Sequence, residues 1–281
     1  MKKRFLTAIF AAITGFSQPL NYAPEIKGEV EEKPFVIVIA SYNNENFYID
    51  NLNSVFTQSY TNFRVLYTND ASTDKTGELV QEYAKDNATH LNFSYLENNK
   101  NKGALHNIYH MIMSCKNDEI IVILDGDDKF ADRNVLNRLN RAYADDHVWV
   151  TYGQDAVRKG FGGHSKPMAV EVLKNGTHRN SGFCWSHLRT FYAGLFKLVP
   201  SSYWKNEGLF YPTSSDVAMM LFLIDLAREH VYFIPDVLCY YNNENPLNDY
   251  KLSVEGQGWY RKHIWKLPPL RKIQTKKEFL E

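Results

Sequence analysis

Ile120-Ile121-Val122-Ile123-Leu124-Asp125-Gly126-Asp127-Asp128 is the stretch whose reading decides the fold. Five branched apolar residues run straight into three carboxylates within four positions. Such a run reads as a strand buried on both faces, as in a parallel sheet. Its C-terminal end is where open α/β sheets place their ligands. Crowded carboxylates repel one another unless a cation shares them. Hard oxygen ligands at this density suit Mg²⁺ or Mn²⁺, with substrate phosphates completing the shell. An acidic, solvated turn explains the same residues equally well, because Asp and Gly are ordinary turn residues. The preceding strands decide between the two.

Phe35-Val36-Ile37-Val38-Ile39-Ala40 is a second all-apolar run, ending in the polar loop Ser41-Tyr42-Asn43-Asn44. Ile49, Leu52, Val55 and Phe56 then recur at helical spacing. Arg64–Thr68 reads as a strand running into Asn69-Asp70-Ala71-Ser72-Thr73-Asp74. Ser72 or Thr73 can cap the next helix, whose apolar face is Leu79, Val80, Tyr83 and Ala84. Leu91, Phe93 and Tyr95 alternate as a third strand. A polar loop from Asn98 to Gly103 leads to a helix with Leu105, Ile108, Tyr109 and Ile112 on one face. Strand and helix alternate up to the opening stretch, which predicts a parallel α/β sheet.

Three strand ends on one sheet edge thus carry Tyr42 with Asn43, Asp70, and the Asp125–Asp128 cluster. Tyr42 could stack on a base, Asp70 could accept from a base or ribose, and the acids could hold a metal on a diphosphate. Each is ordinary strand-end punctuation by itself. Together they describe a nucleotide–diphosphate–metal pocket. Neither GxGxxG nor GxxxxGK[ST] occurs, which argues against dinucleotide-binding dehydrogenases and P-loop enzymes.

The length of 281 residues suits one large domain, and 44% hydrophobic content is ample for a core. Lys+Arg and Asp+Glu are both 32, so no global field favours nucleic acid. Cys115, Cys184 and Cys239 are too scattered for a disulfide framework or a zinc site and read as small buried residues. Lys2-Lys3-Arg4 before the apolar run Phe5–Ile13 has the order of a secretory signal, with a cut near Ala23. A frayed leader on a cytosolic or membrane-peripheral protein is the alternative. Either way, residues 1 to about 33 are expected to lie outside the fold.

Four motifs stand in one order across residues 35–130: Val38-Ile39-Ala40-Ser41-Tyr42-Asn43, Asn69-Asp70-Ala71-Ser72-Thr73-Asp74, Asn99–Asn107 with Gly103, and Leu124-Asp125-Gly126-Asp127-Asp128. In this the sequence resembles a family 2 glycosyltransferase of the GT-A fold. That is a Rossmann-like nucleotide-diphospho-sugar transferase fold, with a mostly parallel central sheet flanked by helices. Asn69 departs from the family's usual Asp. The resemblance implies a nucleotide-sugar donor, a UDP-sugar by expectation. Ser41, Tyr42, Asn43, Asp70, Asn99, Lys102, Gly103, Asp125, Gly126 and Asp127 would bind it. Asp125, Asp127 and Asp128 would hold Mn²⁺ or Mg²⁺. The metal's task is to neutralise the departing diphosphate.

Between the leader and linker (1–33) and a basic aromatic tail (251–281), the same resemblance implies a nucleotide-sugar and metal half (34–152) and an acceptor half (153–250). A helix over Asp132–Ala144 and a strand over Val148–Tyr152 close the first half. Residues 153–182 are polar and glycine-rich, and read either as a mobile loop over the acceptor or as a disordered insertion. His187 and Arg189 lie in a stretch that a subset of bacterial family members shares, where Arg189 could meet a phosphate or the acceptor. A structural salt bridge is the alternative for Arg189.

Ser214 or Ser215 can cap a helix whose inward residues are Val217, Met220, Leu221, Ile224 and Ala227. Asp216, in its first turn, is favoured there in any case. The resemblance makes it the general base that removes the acceptor's proton in one inverting displacement. Val231–Ile234 and Val237–Tyr241 read as two strands, and Asn245 and Asn248 could reach the acceptor side. Arg261–Glu281 has seven Lys/Arg against two acids, with Trp259, Tyr260, Ile264 and Trp265 nearby. It reads as a solvated extension, with a peripheral membrane-facing segment as the alternative. The function implied is transfer of a sugar to a glycan, lipid or protein hydroxyl. The alternatives are a sugar nucleotidyltransferase, which would need a glycine-rich loop in place of Ser41-Tyr42-Asn43-Asn44, and an inactive sugar-binding relative.

Overall fold

The computed structural model describes residues 19–24, 26–157, 163, 165–252 and 254–281. The first half alternates as expected: β1 (Phe35–Ser41), α1 (Tyr48–Phe56), β2 (Phe63–Asn69), α2 (Thr76–Asn87), β3 (Asn92–Glu97), α3 (Ala104–Met113) and β4 (Ile120–Ile123). A short β5 (Lys129–Phe130), α4 (Val135–Tyr143) and β6 (Val150–Val157) follow. The second half adds α5 (Val170–Lys174), β7 (Arg189–Tyr192), α6 (Ala193–Lys197), a hairpin of β8 (Lys205–Asn206) and β9 (Leu209–Phe210), α7 (Ser215–Ala227) and β10 (Val231–Tyr241). It ends in α8 (Asp249–Leu252), α9 (Val254–Lys266) and α10 (Lys277–Leu280).

The main sheet has eight strands in the order β3-β2-β1-β4-β7-β6-β10-β5. β3, β2, β1 and β4 pair in parallel, and β10 pairs in parallel with β6. The chain moves outward from β1 to β3 and then returns to β4. Right-handed crossovers therefore place α3 on the face opposite α1 and α2. Every residue of β4 is buried, as two covered faces require.

β7 departs from the expected parallel order, running antiparallel to both β4 and β6. Its first residue, Arg189, pairs with Ile123 at the end of β4 and with Tyr152 of β6. An antiparallel strand starts where its parallel neighbours end, so His187 and Arg189 arrive on the acidic edge. The expected pair of strands around Pro235 is one continuous β10 with two register shifts that absorb the proline. Its Asp236, like Pro235, stays exposed.

Several local expectations change. α2 starts at Thr76, whose N–H is held by Asp74 at 2.9 Å, so neither Ser72 nor Thr73 caps it. Ser72 bonds Asn69 and accepts from the Asn43 N–H instead. α4 begins three residues late because Asp132 turns the chain by holding the Asn134 N–H at 2.8 Å. Ser214 occupies the cap position of α7 with φ 61°, but its hydroxyl donates to Gln257 rather than into the helix. α7 is buried on all sides from Val217 to Ala227, since α6, α9 and β6 surround it.

The region 153–182 is largely built into the fold. Gly153 lies in β6, and Leu173 and His178 are fully buried. Residues 158–162 and 164 of the expected mobile loop lie outside the described residues. Residues 1–18 of the expected leader do too. Residues 19–23, expected outside the fold, pair with it: Leu20 bridges Ala169 and Tyr22 bridges Phe233. Asn21 donates to the carbonyls of Glu229 and Val231 at 3.0 and 2.7 Å.

The tail, expected as a solvated extension, packs one side against the fold, while Lys262, Lys266 and Arg271 stay exposed. Ile264, Ile273 and Phe279 are buried, and Phe279 packs edge-on against Trp149. Its charges have distant partners: Lys276 meets Asp146 at 2.9 Å and Lys272 meets Glu229. Asp225, inside α7, is fully buried and binds His178 at 2.9 Å, the Arg179 guanidinium, and the Leu270 N–H at 3.1 Å. Arg179 also donates to the carbonyls of Trp265 and Leu267, so one carboxylate clamps the tail to α7.

Candidate active site

The ends of β1, β2, β4 and β10, the start of β7 and the first turn of α7 converge on the acidic turn. That turn is tight: the Asp128 N–H donates to the Asp125 carbonyl at 3.1 Å. Gly126 makes it fit, since a Cβ there would stand 2.7 Å from Ser41 Oγ and from Asn44 Nδ2.

His187 Nε2 lies 3.2 Å from Asp125 Oδ2 and 3.6 Å from Asp128 Oδ2. Tyr241 stacks on the imidazole at 5.1 Å between ring centres. Asp125, Asp128 and His187 each offer a ligand atom within 4.8 Å of the others. The Asp127 carboxylate turns away from this group and accepts from Asn245 Nδ2 at 2.6 Å. Asp128 Oδ1 accepts the Asn242 N–H at 2.7 Å. Arg189, 3% exposed, places Nη2 3.5 Å from Asp125 Oδ2 and Nη1 3.9 Å from Asp216 Oδ2. One guanidinium thus links the acidic turn to the acid that heads α7.

The three carboxylates split in proton affinity. Burial pushes all three up. At Asp125 the His187 hydrogen bond and the Arg189 charge outweigh it, leaving the group at about 2. Asp127 rises to about 6 through burial and the Asp125 charge, against the Asn245 amide. Asp128 is pushed well above the carboxylate range by burial and by both neighbouring acids. A buried carboxylate, a half-exposed one and an imidazole are a donor set that fits a hard divalent cation.

The residues expected at the nucleoside end gather beside this cluster. Tyr42 is 38% exposed at the end of β1, free to meet a flat ring. Ser41 is buried and accepts from Asn44 Nδ2 at 2.9 Å. Asn43 clasps the loop after β2, taking the Thr73 N–H at 2.8 Å. Asp70 is buried, and its oxygens hold Asn98 Nδ2 and the Lys102 and Gly103 N–H groups at 2.7 to 2.9 Å. It therefore fixes the loop 98–103, where Gly103 takes φ +86°. Asn99 and the Lys102 side chain stay exposed. A cleft of about 380 Å³ opens on the far side of Asp127, lined by Phe47, Tyr240, Tyr241 and the Asp50–Lys129 pair.

His187, expected at a phosphate or the acceptor, lies beside the acids instead. Asn51, absent from the expected site, donates from α1 to the carbonyls of Asp125 and Asp128. A signal existed for Asn51: it is a polar residue inside the apolar stripe of a helix. Asn242 acts through its backbone, which leaves no side-chain signal.

A family described as "Glycosyl transferase family 2" matches residues 36–201. The "Putative teichuronic acid biosynthesis glycosyltransferase TuaG" of Bacillus subtilis (strain 168) is 33% identical over 100 residues, 35% of this chain and 38% of that protein. The chain spans less than half the length of the curated relatives it matches. Among solved structures, S. aureus TarS 1-349 in complex with UDP-GlcNAc superposes with a TM-score of 0.56 at 17% identity, covering 75% of this chain and 59% of that one. The mannosyltransferase PcManGT from Pyrobaculum calidifontis, in complex with GDP-Man and Mn²⁺, gives 0.59 at 18% identity, covering 83% and 62%.

Proposed function

The chain belongs to glycosyl transferase family 2, and from that premise we propose that it is an inverting, metal-dependent enzyme using a UDP-sugar. Its fold is the GT-A type expected, and the matched relatives are glycosyltransferases. A nucleotide-sugar donor accords with the UDP-GlcNAc bound by TarS and the GDP-Man bound by PcManGT. The observation that carries the reading is the Arg189 bridge. It holds Asp125 of the donor side and Asp216, the acid that heads α7, on one guanidinium.

In this mechanism Tyr42 stacks on the base and the loop pinned by Asp70 closes over the nucleoside. Asp125, Asp128 and His187 would hold Mn²⁺ or Mg²⁺, with Asp127 facing the ribose–diphosphate. The cation supplies positive charge to the departing diphosphate. Asp216 takes the proton from the acceptor hydroxyl as its oxygen bonds to the anomeric carbon. The bond from that carbon to the diphosphate oxygen breaks, and its electron pair leaves with UDP. Arg189 holds Asp216 against the cluster and keeps positive charge beside the leaving group.

The acceptor is a hydroxyl of a glycan, lipid or protein. Contact with a membrane surface through α9 rests on exposed Trp259, Lys262 and Lys266. No helix of the described residues is long and apolar enough to cross a membrane. An export role for the leader rests on the order of Lys2–Ile13 alone. Sequencing the mature N-terminus tests it.

The decisive assay offers UDP-glucose, UDP-galactose, UDP-N-acetylglucosamine and GDP-mannose with Mn²⁺ and follows nucleotide release. Turnover of a UDP-sugar that stops on chelation is expected. Turnover of GDP-mannose alone overturns the choice of nucleotide, and full activity in chelator overturns metal dependence.

A further inference from the structure

A single buried side chain outside the acidic turn touches both of its ends. Asn51 lies in α1 and is 1% exposed. Its amide nitrogen donates to the Asp125 carbonyl at 2.9 Å and to the Asp128 carbonyl at 2.7 Å. Its amide oxygen is buried and has no hydrogen-bond partner among the described residues. Reversing the amide would set that oxygen against two carbonyl oxygens, so the two acceptors fix its orientation.

Asn51 sits among Leu52, Val55 and Phe56, all buried. An apolar residue would pack there without leaving an amide oxygen unpaired. The helix carries this cost where the side chain holds a turn of four residues. Through that turn it sets the distance between Asp125 and Asp128, whose carboxylates meet His187.

We propose that Asn51 is a positioning residue for a divalent cation held by Asp125, Asp128 and His187. The proposal rests on the metal reading given above. Asn51 makes no contact with the cation; it presets the spacing of two carboxylates so that the ligand group exists before the cation arrives. Losing a group that orients metal ligands in this way typically costs about 10- to 100-fold in affinity.

The test is a Mn²⁺ titration of the full chain, read by the electron paramagnetic resonance signal of free Mn²⁺. Each variant is also melted without metal. Asn51→Leu removes both hydrogen bonds, and Asn51→Gln keeps the amide on a longer arm that displaces the turn. Asn140→Leu is the control. Asn140 is equally buried but holds the linker at Glu31 and Lys33. Asn51→Leu should bind Mn²⁺ about 10- to 100-fold more weakly. Asn51→Gln should also bind more weakly, and Asn140→Leu should match the wild type although it melts lower.

Wild-type Mn²⁺ affinity in folded Asn51→Gln and Asn51→Leu, with lowered melting, overturns the proposal and makes Asn51 merely structural. If Asn51→Leu does not fold, Asn51→Gln decides alone. A wild type that binds no Mn²⁺ defeats the metal reading itself, which is a different result from normal binding in both variants.

Discussion

Replacing Asp127 with asparagine should stabilise the metal-free protein at neutral pH while weakening its response to Mn²⁺ and donor. Burial and the Asp125 charge push Asp127 up to about 6. In an unfolded chain the same group titrates near ~3.9. The folded state therefore binds this proton more tightly than the unfolded one. The resulting stabilisation is complete below about pH 3.9 and is lost as pH rises through about 6. Two units correspond to about 3 kcal/mol. Asparagine has no charge to bury and does not suffer that loss. The Asn245 bond at 2.6 Å survives only between neutral groups, which takes back about 1 kcal/mol. The net gain of about 2 kcal/mol raises the melting temperature by roughly 4–8 °C for a domain of this size. Melting scans in chelator from pH 4 to pH 8 read it. The gap between variant and wild type should open between about pH 4 and pH 6, hold to pH 8 and close in acid. A variant that melts at or below the wild type at pH 8, with the same pH slope, refutes the reasoning.

Asp225→Asn should have the opposite effect. The carboxyl of Asp225 is buried, which raises it, but the His178 and Arg179 bonds pull it below its ordinary value. Its stabilisation is present above the unfolded value near ~3.9 and is lost as pH falls below that. Breaking the clamp should cost about 3–5 kcal/mol in urea denaturation at pH 7, and less at pH 3. Equal losses at both pH values would mean that packing, not charge, holds the tail. Asp216→Asn should lower kcat by roughly 10²–10⁴ while the KM for donor and the urea curve stay put. A kcat close to that of the wild type would remove Asp216 from the mechanism.

What could be read in advance was written locally. β1, β2 and β4 are short apolar runs that end in polar loops, and both marks lie within ten residues. The acidic turn follows from the same stretch, because Gly126 and three Asp residues are contiguous. β7 was not legible in direction: Arg189–Tyr192 sets Arg and Thr beside two aromatics, a mix that carries no direction, and its orientation depends on where residues 165–188 deliver the chain. The tail misled for a related reason. Lys272 and Lys276 read as solvated charge, yet their partners Glu229 and Asp146 lie 43 and 130 residues away. Composition cannot distinguish a paired lysine from a free one.

The same limit explains the division of the site. Asp125 and Asp128 come from one segment, and their crowding alone suggested a cation. The groups that make the crowding tolerable come from three other places: Asn51 in α1, His187 and Arg189 at β7, and Asn242 after β10. Asn51 satisfies two carbonyls of the acidic turn, and the others meet its carboxylates. A turn with three acids thus poses a local electrostatic problem whose solution is spread along the chain. Asn51 is the most informative part of that solution. A polar residue in an apolar helical stripe marks a place where packing has been given up for a hydrogen bond, and α1 gives it up at the turn that orders the acids.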